Sequence, residues 1–325
     1  MIGAFELRRL PCLAWLALVL AGVAQAAAEP PSLPAAEGCG CGRTADQVWL
    51  LSTRRLGCGA EETLPQGLGV FRYEDCRWRV ATFEEFLGSG AAPMATHVWV
   101  HGNQISAEDA CKGGLQVYRA LAACAPEETP LRFVIWSWPS QKQHGPLRDV
   151  KAKADRSDLD ALFFGWFLGQ LEPDGPVTLA GYSFGARIIT GGLHLAGGGE
   201  LAGRVLEPPP DARAAFRVAL LAAAVDNDWL LPGRRHGQAL SQIEQILLLN
   251  NSCDRVLKRY HWLEHDGDRA LGYTGLAGAG LLGDERWKVR QMNVCSIVGK
   301  QHDWTNYFDA PSVAARIRVL TFAQE

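Results

Sequence analysis

The sequence predicts an α/β fold, with a mostly parallel central sheet, helices on both faces and a small antiparallel N-terminal edge. From residue 96 onward, short continuous apolar runs alternate with longer segments of helical period, which is the pattern of buried parallel strands joined by crossover helices. Ahead of that region stand strand-like runs at Val48-Trp49-Leu50-Leu51, Gly69-Val70-Phe71-Arg72-Tyr73 and Trp78-Arg79-Val80-Ala81-Thr82, which supply the antiparallel edge. The 325 residues, 48% hydrophobic and 21% charged, suffice for one large domain with a sizeable core.

In chain order, the first element is an export signal. Arg8 and Arg9 precede an apolar stretch over 10–23, which is followed by Ala24-Gln25-Ala26, a small-x-small pattern that predicts cleavage after residue 26. An uncleaved anchor is the alternative, but the stretch is shorter than the roughly 20 residues that cross a bilayer. The mature chain is thus expected to be secreted or periplasmic. Cys12 follows Arg9-Leu10-Pro11 and lacks the context of a lipidation site. Residues 27–47, rich in Pro, Ala and Gly, read as a linker or a disulfide-stapled extension, and 48–325 as the domain.

Apart from Cys12, the cysteines are Cys39, Cys41, Cys58, Cys76, Cys111, Cys124, Cys253 and Cys295. An even number in an exported chain predicts disulfides, although sequence alone does not choose the pairing. A zinc site at Cys39, Cys41, Cys58 and Cys76 is the less favoured alternative. Cys111 and Cys124 fall in one predicted helix, roughly 20 Å apart along its axis, too far to bridge unless Gly113-Gly114 breaks it. The predicted strands of the main sheet are 98–100, 131–136, 177–180, 218–225, 246–249 and 294–298. The clearest helix carries Leu159, Leu162, Phe163, Trp166, Phe167 and Leu171 on one face.

The chemistry centres on Gly181-Tyr182-Ser183-Phe184-Gly185, set between the apolar run Val177-Thr178-Leu179-Ala180 and the helix-like Ala186-Arg187-Ile188-Ile189. That context is a nucleophile elbow, a sharp strand-to-helix turn that lifts a serine hydroxyl off the sheet, and it narrows the prediction to an α/β-hydrolase fold. A glycine-rich turn with an inert serine is the bland alternative. A serine hydroxyl needs a base, and the base an orienting acid, in the chain order Ser, acid, His. Of His194, His236, His261, His265 and His302, only His302 falls in a loop after the last predicted strand. His194 is expected to pack, and His261 and His265 to be solvated. Asp254 follows the strand 246–249 and is the favoured acid, with Asp226 as the rival. Helix capping is the non-catalytic role open to either.

The oxyanion that forms on a substrate carbonyl requires preplaced donors. The backbone N–H of Phe184 is one candidate and that of Asn103, after Val98-Trp99-Val100-His101-Gly102, is the other. His101 is expected to hold this loop rather than to react. Trp138 either lines a pocket or packs beneath a loop, and 272–283 is either a flap or, preferably, a plain surface loop. A bond between Cys253 and Cys295 would tie the acid's loop to the strand leading to His302.

His101-Gly102-Asn103, Trp136-Ser137-Trp138-Pro139-Ser140, the elbow, Asp254-Arg255-Val256-Leu257 and His302 together resemble the DUF900 group of α/β-hydrolase proteins, over roughly residues 48 to 310. The resemblance implies a single hydrolase domain with the triad just assigned and little about substrate. Asn103 stands where that group often has an aromatic, and Phe184 where it usually has methionine; both oxyanion donors are backbone groups, so neither change removes one.

Hydrolysis of an ester or related acyl bond is therefore the expected activity, on a small-molecule or lipid-like acyl substrate and with no cofactor or metal. An acyltransferase using the same triad, and a non-catalytic binding protein on the same scaffold, are the alternatives. A net charge of -3 gives no electrostatic footprint for nucleic acid.

Overall fold

The computed structural model describes residues 43–57, 64–89, 94–142, 146–172, 175–206, 215–262 and 269–323. The predicted export signal, most of the linker, and Cys39, Cys41, Cys58 and His265 lie outside these. Nine strands form one sheet: β1 (Gln47–Ser52), β2 (Gly69–Glu74), β3 (Arg77–Val80), β4 (Ala95–Val100), β5 (Leu131–Ser137), β6 (Val177–Tyr182), β7 (Phe216–Leu221), β8 (Ile243–Asn250) and β9 (Val289–Asn293). Their spatial order is β3-β2-β1-β5-β4-β6-β7-β8-β9. All neighbours from β1 through β9 pair in parallel, while β2 is antiparallel to both β1 and β3. This is an α/β-hydrolase fold.

The helices are α1 (Phe83–Gly88), α2 (Ala107–Ala122), α3 (Pro146–Gly169), α4 (Phe184–Ala196), α5 (Leu271–Thr274), α6 (Cys295–Val298), α7 (Thr305–Asp309) and α8 (Pro311–Phe322). α3 and α4 pack together on one face of the sheet, and α2, α7 and α8 on the other. Covered on both sides, β4, β5, β6 and β7 are buried at every residue, which is why they read as unbroken apolar runs. Trp49, Trp99, Trp136, Phe133, Phe163 and Phe167 fill the layers between.

The chain runs from β4 to β5 on one side, then crosses to β6 on the other side of β4. The crevice at a reversal of this kind, beyond the carboxyl ends of the strands, is where open parallel sheets bind ligands. Here it lies between the ends of β4 and β6, next to residues 101–103 and Ser183.

Several elements differ from expectation. β2 and β3 form the antiparallel edge, but β1 also pairs in parallel with β5, so its end at Ser52 points to the same side as the ends of β4 and β6. The run 218–225 leaves the sheet after Leu221, because Ala222 takes a positive φ of 46°, and 222–225 stay apolar because they remain buried. The run 294–298 is not a strand. The last strand is the polar edge Val289–Asn293, and the Asn293 side chain accepts the Cys295 N–H at 3.1 Å, turning the chain into the short α6. The segment 272–283 is not a plain loop: it holds most of α5 and the start of a 3₁₀ helix, Ala279–Lys288. Gly272 packs so closely that a Cβ there would lie 2.1 Å from the Ala223 nitrogen.

Cys111 and Cys124 are free thiols, Cys76 is disulfide-bonded, and Cys253 is joined to Cys295. No helix among the described residues is long and apolar enough to cross a membrane.

Candidate active site

Ser183 sits where β6 meets α4, with φ 53° and ψ -117°, a conformation that a non-glycine residue holds only when its surroundings over-determine it. Three backbone bonds do so: the Ser183 N–H donates to Leu221 O at 2.9 Å, and its carbonyl accepts from Ala186 N at 3.1 Å and Ala224 N at 3.2 Å. The flanking glycines are steric necessities. A Cβ on Gly185 would lie 2.1 Å from Val100 O, and one on Gly181 2.8 Å from Ala186 N.

His302 lies in the loop between α6 and α7, nine residues past β9, and its ring spans the crevice. Nε2 is 3.0 Å from Ser183 Oγ and Nδ1 is 2.7 Å from Asp254 Oδ2. The face of the imidazole rests against Tyr182, ring centroids 5.0 Å apart. Asp254 is fully buried. Its Oδ1 accepts the backbone N–H groups of Val256 at 2.8 Å and Leu257 at 3.0 Å, which holds the carboxylate in one rotamer and turns Oδ2 toward the imidazole. With Asp254 accepting at Nδ1, the imidazole carries its proton there and offers the Nε2 lone pair to the serine hydroxyl.

The loops of acid and base are tied together. Asn251 Nδ2 donates to Gly299 O at 2.8 Å, Val294 N to Asn250 O at 2.8 Å and Arg255 N to Lys300 O at 3.3 Å. The Cys253–Cys295 bond adds a covalent tie; the anticipated pairing is present, although Cys295 lies in α6 rather than in a strand.

Asp226, the rival acid, is buried in the loop after β7, where its backbone bridges Ala270; His302 Nδ1 meets Asp254 instead. Phe184 opens α4, and among the described residues neither its N–H nor that of Asn103 donates a hydrogen bond. Phe184 follows Ser183 directly, and Gly102, the residue before Asn103, packs against the serine, a Cβ on Gly102 lying 3.3 Å from Ser183 Cβ; α4 adds the positive end of its dipole at Phe184.

His101 is buried, with Nδ1 2.9 Å from Gly102 O. Burial and then the neighbouring Arg54 lower its pKa to about 3, so it stays neutral in its role of holding the loop. Trp138 is buried under that loop, its ring stacked on His101 and its Nε1–H donating to His101 O at 2.8 Å. His194 packs between Gln238 N at 3.1 Å and Glu200 O at 3.1 Å, and His261 is exposed.

Arg54, two residues past β1, was not foreseen as part of this neighbourhood. With β1 read as an antiparallel edge strand, nothing in the sequence sent its carboxyl end toward the crevice. Among the described residues no group of three His, Cys, Asp or Glu side chains is arranged to hold a metal ion.

No family model and no curated protein matches the sequence. Among solved structures, the chain is similar to Zea mays acyl-protein thioesterase 2, with 15% identity, a TM-score of 0.39 and coverage of 70% of this chain and 92% of that one. It is also similar to TT1662 from Thermus thermophilus, with 15% identity, a TM-score of 0.41 and coverage of 79% and 95%.

Proposed function

We propose that this chain is an exported serine hydrolase that cleaves an ester or related acyl bond, with Ser183 as nucleophile, His302 as general base and acid, and Asp254 as the group that orients the imidazole. The observation that carries the reading is the single ring of His302 bridging Ser183 Oγ at 3.0 Å and Asp254 Oδ2 at 2.7 Å. Three side chains from separate loops converge in the order and geometry that nucleophilic acyl transfer requires.

In the first half-reaction Ser183 Oγ bonds to the substrate carbonyl carbon while its proton passes to His302 Nε2. The carbonyl oxygen becomes an anion and is met by the N–H groups of Phe184 and Asn103. Collapse expels the alcohol, which takes the proton back from His302 and leaves an acyl-serine. Water then repeats the sequence and frees the acid. Export rests on the Arg8, Arg9 and 10–26 pattern, and the sequence features shared with the DUF900 group fit the same assignment.

A fluorophosphonate probe tests the reading. The wild-type chain is expected to be labelled and to hydrolyse short-chain nitrophenyl esters, and Ser183→Ala to do neither. Undiminished labelling of Ser183→Ala would mean another nucleophile is at work.

A further inference from the structure

An amide can meet an oxyanion at full strength only if its loop is held in place before the charge appears. The turn that leads from β4 into α2, residues 101–106, is held along its length. His101 O accepts Trp138 Nε1–H at 2.8 Å, and Gly102 O accepts His101 Nδ1–H at 2.9 Å. Ser140 takes the next part: its carbonyl accepts Gln104 N–H at 2.9 Å, and its hydroxyl accepts Ile105 N–H at 3.2 Å and donates to Ile105 O at 3.0 Å. Ile105 O and Ser106 O each accept Arg54 Nη2–H at 3.1 Å. Asn103 N–H is left over, beside Ser183.

Arg54 is tied down on its other side, where Nε–H donates to Ser137 Oγ at 2.8 Å at the end of β5, and Nη2 approaches His101 Nε2 at 3.4 Å. That contact requires His101 Nε2 to be the acceptor, consistent with the proton on Nδ1. Among the described residues Arg54 makes no ion pair. Burial lowers its pKa to about 10, which still leaves it charged at neutral pH. Asp160 and Asp109 favour its charge only from a distance, less than burial opposes it, and a part-buried cation whose direct bonds go to neutral carbonyls and a hydroxyl is costly to a fold unless something else requires it. Here it sits behind the loop whose amide would face the negative charge that develops on the substrate carbonyl.

We propose that Arg54 is a positioning residue of the oxyanion hole: its guanidinium bridges Ser137 Oγ to the Ile105 and Ser106 carbonyls and, with Trp138 and Ser140 as the second jaw, clamps residues 101–106 so that Asn103 N–H is presented to the reacting carbonyl. This gives the Trp136-Ser137-Trp138-Pro139-Ser140 segment its task. It rests on the reading of Ser183 as nucleophile.

The test compares wild type, Arg54→Met, Arg54→Lys and Ser140→Ala in the full chain, with kcat and KM on a nitrophenyl ester and inhibition by a trifluoromethyl ketone. Ser183 adds to that ketone and its proton passes to His302, leaving a tetrahedral oxyanion in the hole. Arg54→Met is expected to lower kcat roughly a hundred- to a thousandfold, the loss associated with one oxyanion donor. KM should stay within about threefold, and ketone affinity should fall by a factor similar to that in kcat. Arg54→Lys recovers only part, because a point donor cannot span Ser137 and both carbonyls. If Arg54→Met does not fold, Arg54→Lys and Ser140→Ala carry the same expectation in weaker form. Folded variants with wild-type kcat and ketone affinity, or losses confined to KM, overturn the proposal. A wild-type chain whose Ser183 is neither labelled nor active overturns the underlying reading instead.

Discussion

Replacing Asp254 by asparagine separates orientation of the imidazole from mere occupancy of the site. Two backbone N–H groups, of Val256 and Leu257, point at Oδ1, and His302 Nδ1 meets Oδ2. An asparagine keeps its carbonyl oxygen under the two N–H groups, because the flipped amide would set NH2 against two donors at roughly 1–3 kcal/mol for each group left unpaired. The NH2 therefore takes the place of Oδ2 and donates to Nδ1. The imidazole proton is then forced onto Nε2, where it faces Ser183 Oγ as a donor and cannot accept the hydroxyl proton. The wrong tautomer costs about 10⁴ in kcat, or about 5.5 kcal/mol of barrier. Steady-state turnover of a nitrophenyl ester gives kcat and KM, with a thermal melt to show that the variant is folded. KM is expected to change little, because the acid does not touch substrate. A loss under tenfold in a folded Asp254→Asn, or a larger loss in Asp226→Asn, refutes the reasoning.

Reduction of Cys253–Cys295, or its removal by Cys295→Ser, opens a loop with a sequence separation of 42. By loop entropy this costs at most about 4 kcal/mol; denaturant titration of Cys295→Ser against wild type measures it, because reductant would also open the bond at Cys76, and identical midpoints would show that the bond adds nothing. Acid also destabilises the fold. His97 and His101 are buried with pKa values lowered to about 3, first of all by burial, so the native state keeps both neutral while the unfolded chain takes up protons below about pH 6.5. Stability is therefore complete above the unfolded value and declines as pH falls through the window from about 6.5 toward 3, by roughly 2–3 kcal/mol per histidine at about pH 4.5. In His97→Gln the decline between these pH values should shrink by one histidine's share. A decline equal to that of wild type would rule out His97 as a contributor.

The strands that matter for the candidate site were legible because they are buried on both faces and so leave long apolar runs, with the candidate residue in the first few positions after each run. Ser183 follows β6 directly, Asn103 lies three residues past β4 and Asp254 four past β8. Glycine marked the elbow for a reason the structure makes explicit, since a side chain at Gly185 would collide with the Val100 carbonyl. Legibility ended where burial and strand pairing part company. Residues 222–225 are as apolar as a strand but leave the sheet at a positive φ, while the true edge strand Val289–Asn293, exposed on one side, looks like loop. The partner of β1 was equally hidden, because no local pattern records whether a strand will pair in parallel or antiparallel, and with it went the placing of Arg54.

His302 is the member least fixed by the sheet. Ser183 is held by strand and helix together, and Asp254 by two amides of its own turn, but the imidazole comes nine residues after an exposed edge strand. Its distance from the serine hydroxyl must be set by what ties its loop to the acid's loop, namely the Asn251–Gly299, Asn250–Val294 and Arg255–Lys300 hydrogen bonds and the Cys253–Cys295 bond. Three of these four ties survive reduction. Loss of this disulfide should therefore lower the stability of the pair of loops more than it displaces the ring, so Cys295→Ser, which leaves the bond at Cys76 in place, should keep most of its kcat under conditions where it remains folded while melting earlier. If Cys295→Ser instead removed kcat without moving the melt, the bond itself would be what sets the imidazole, and the three hydrogen bonds would follow from that alignment rather than produce it.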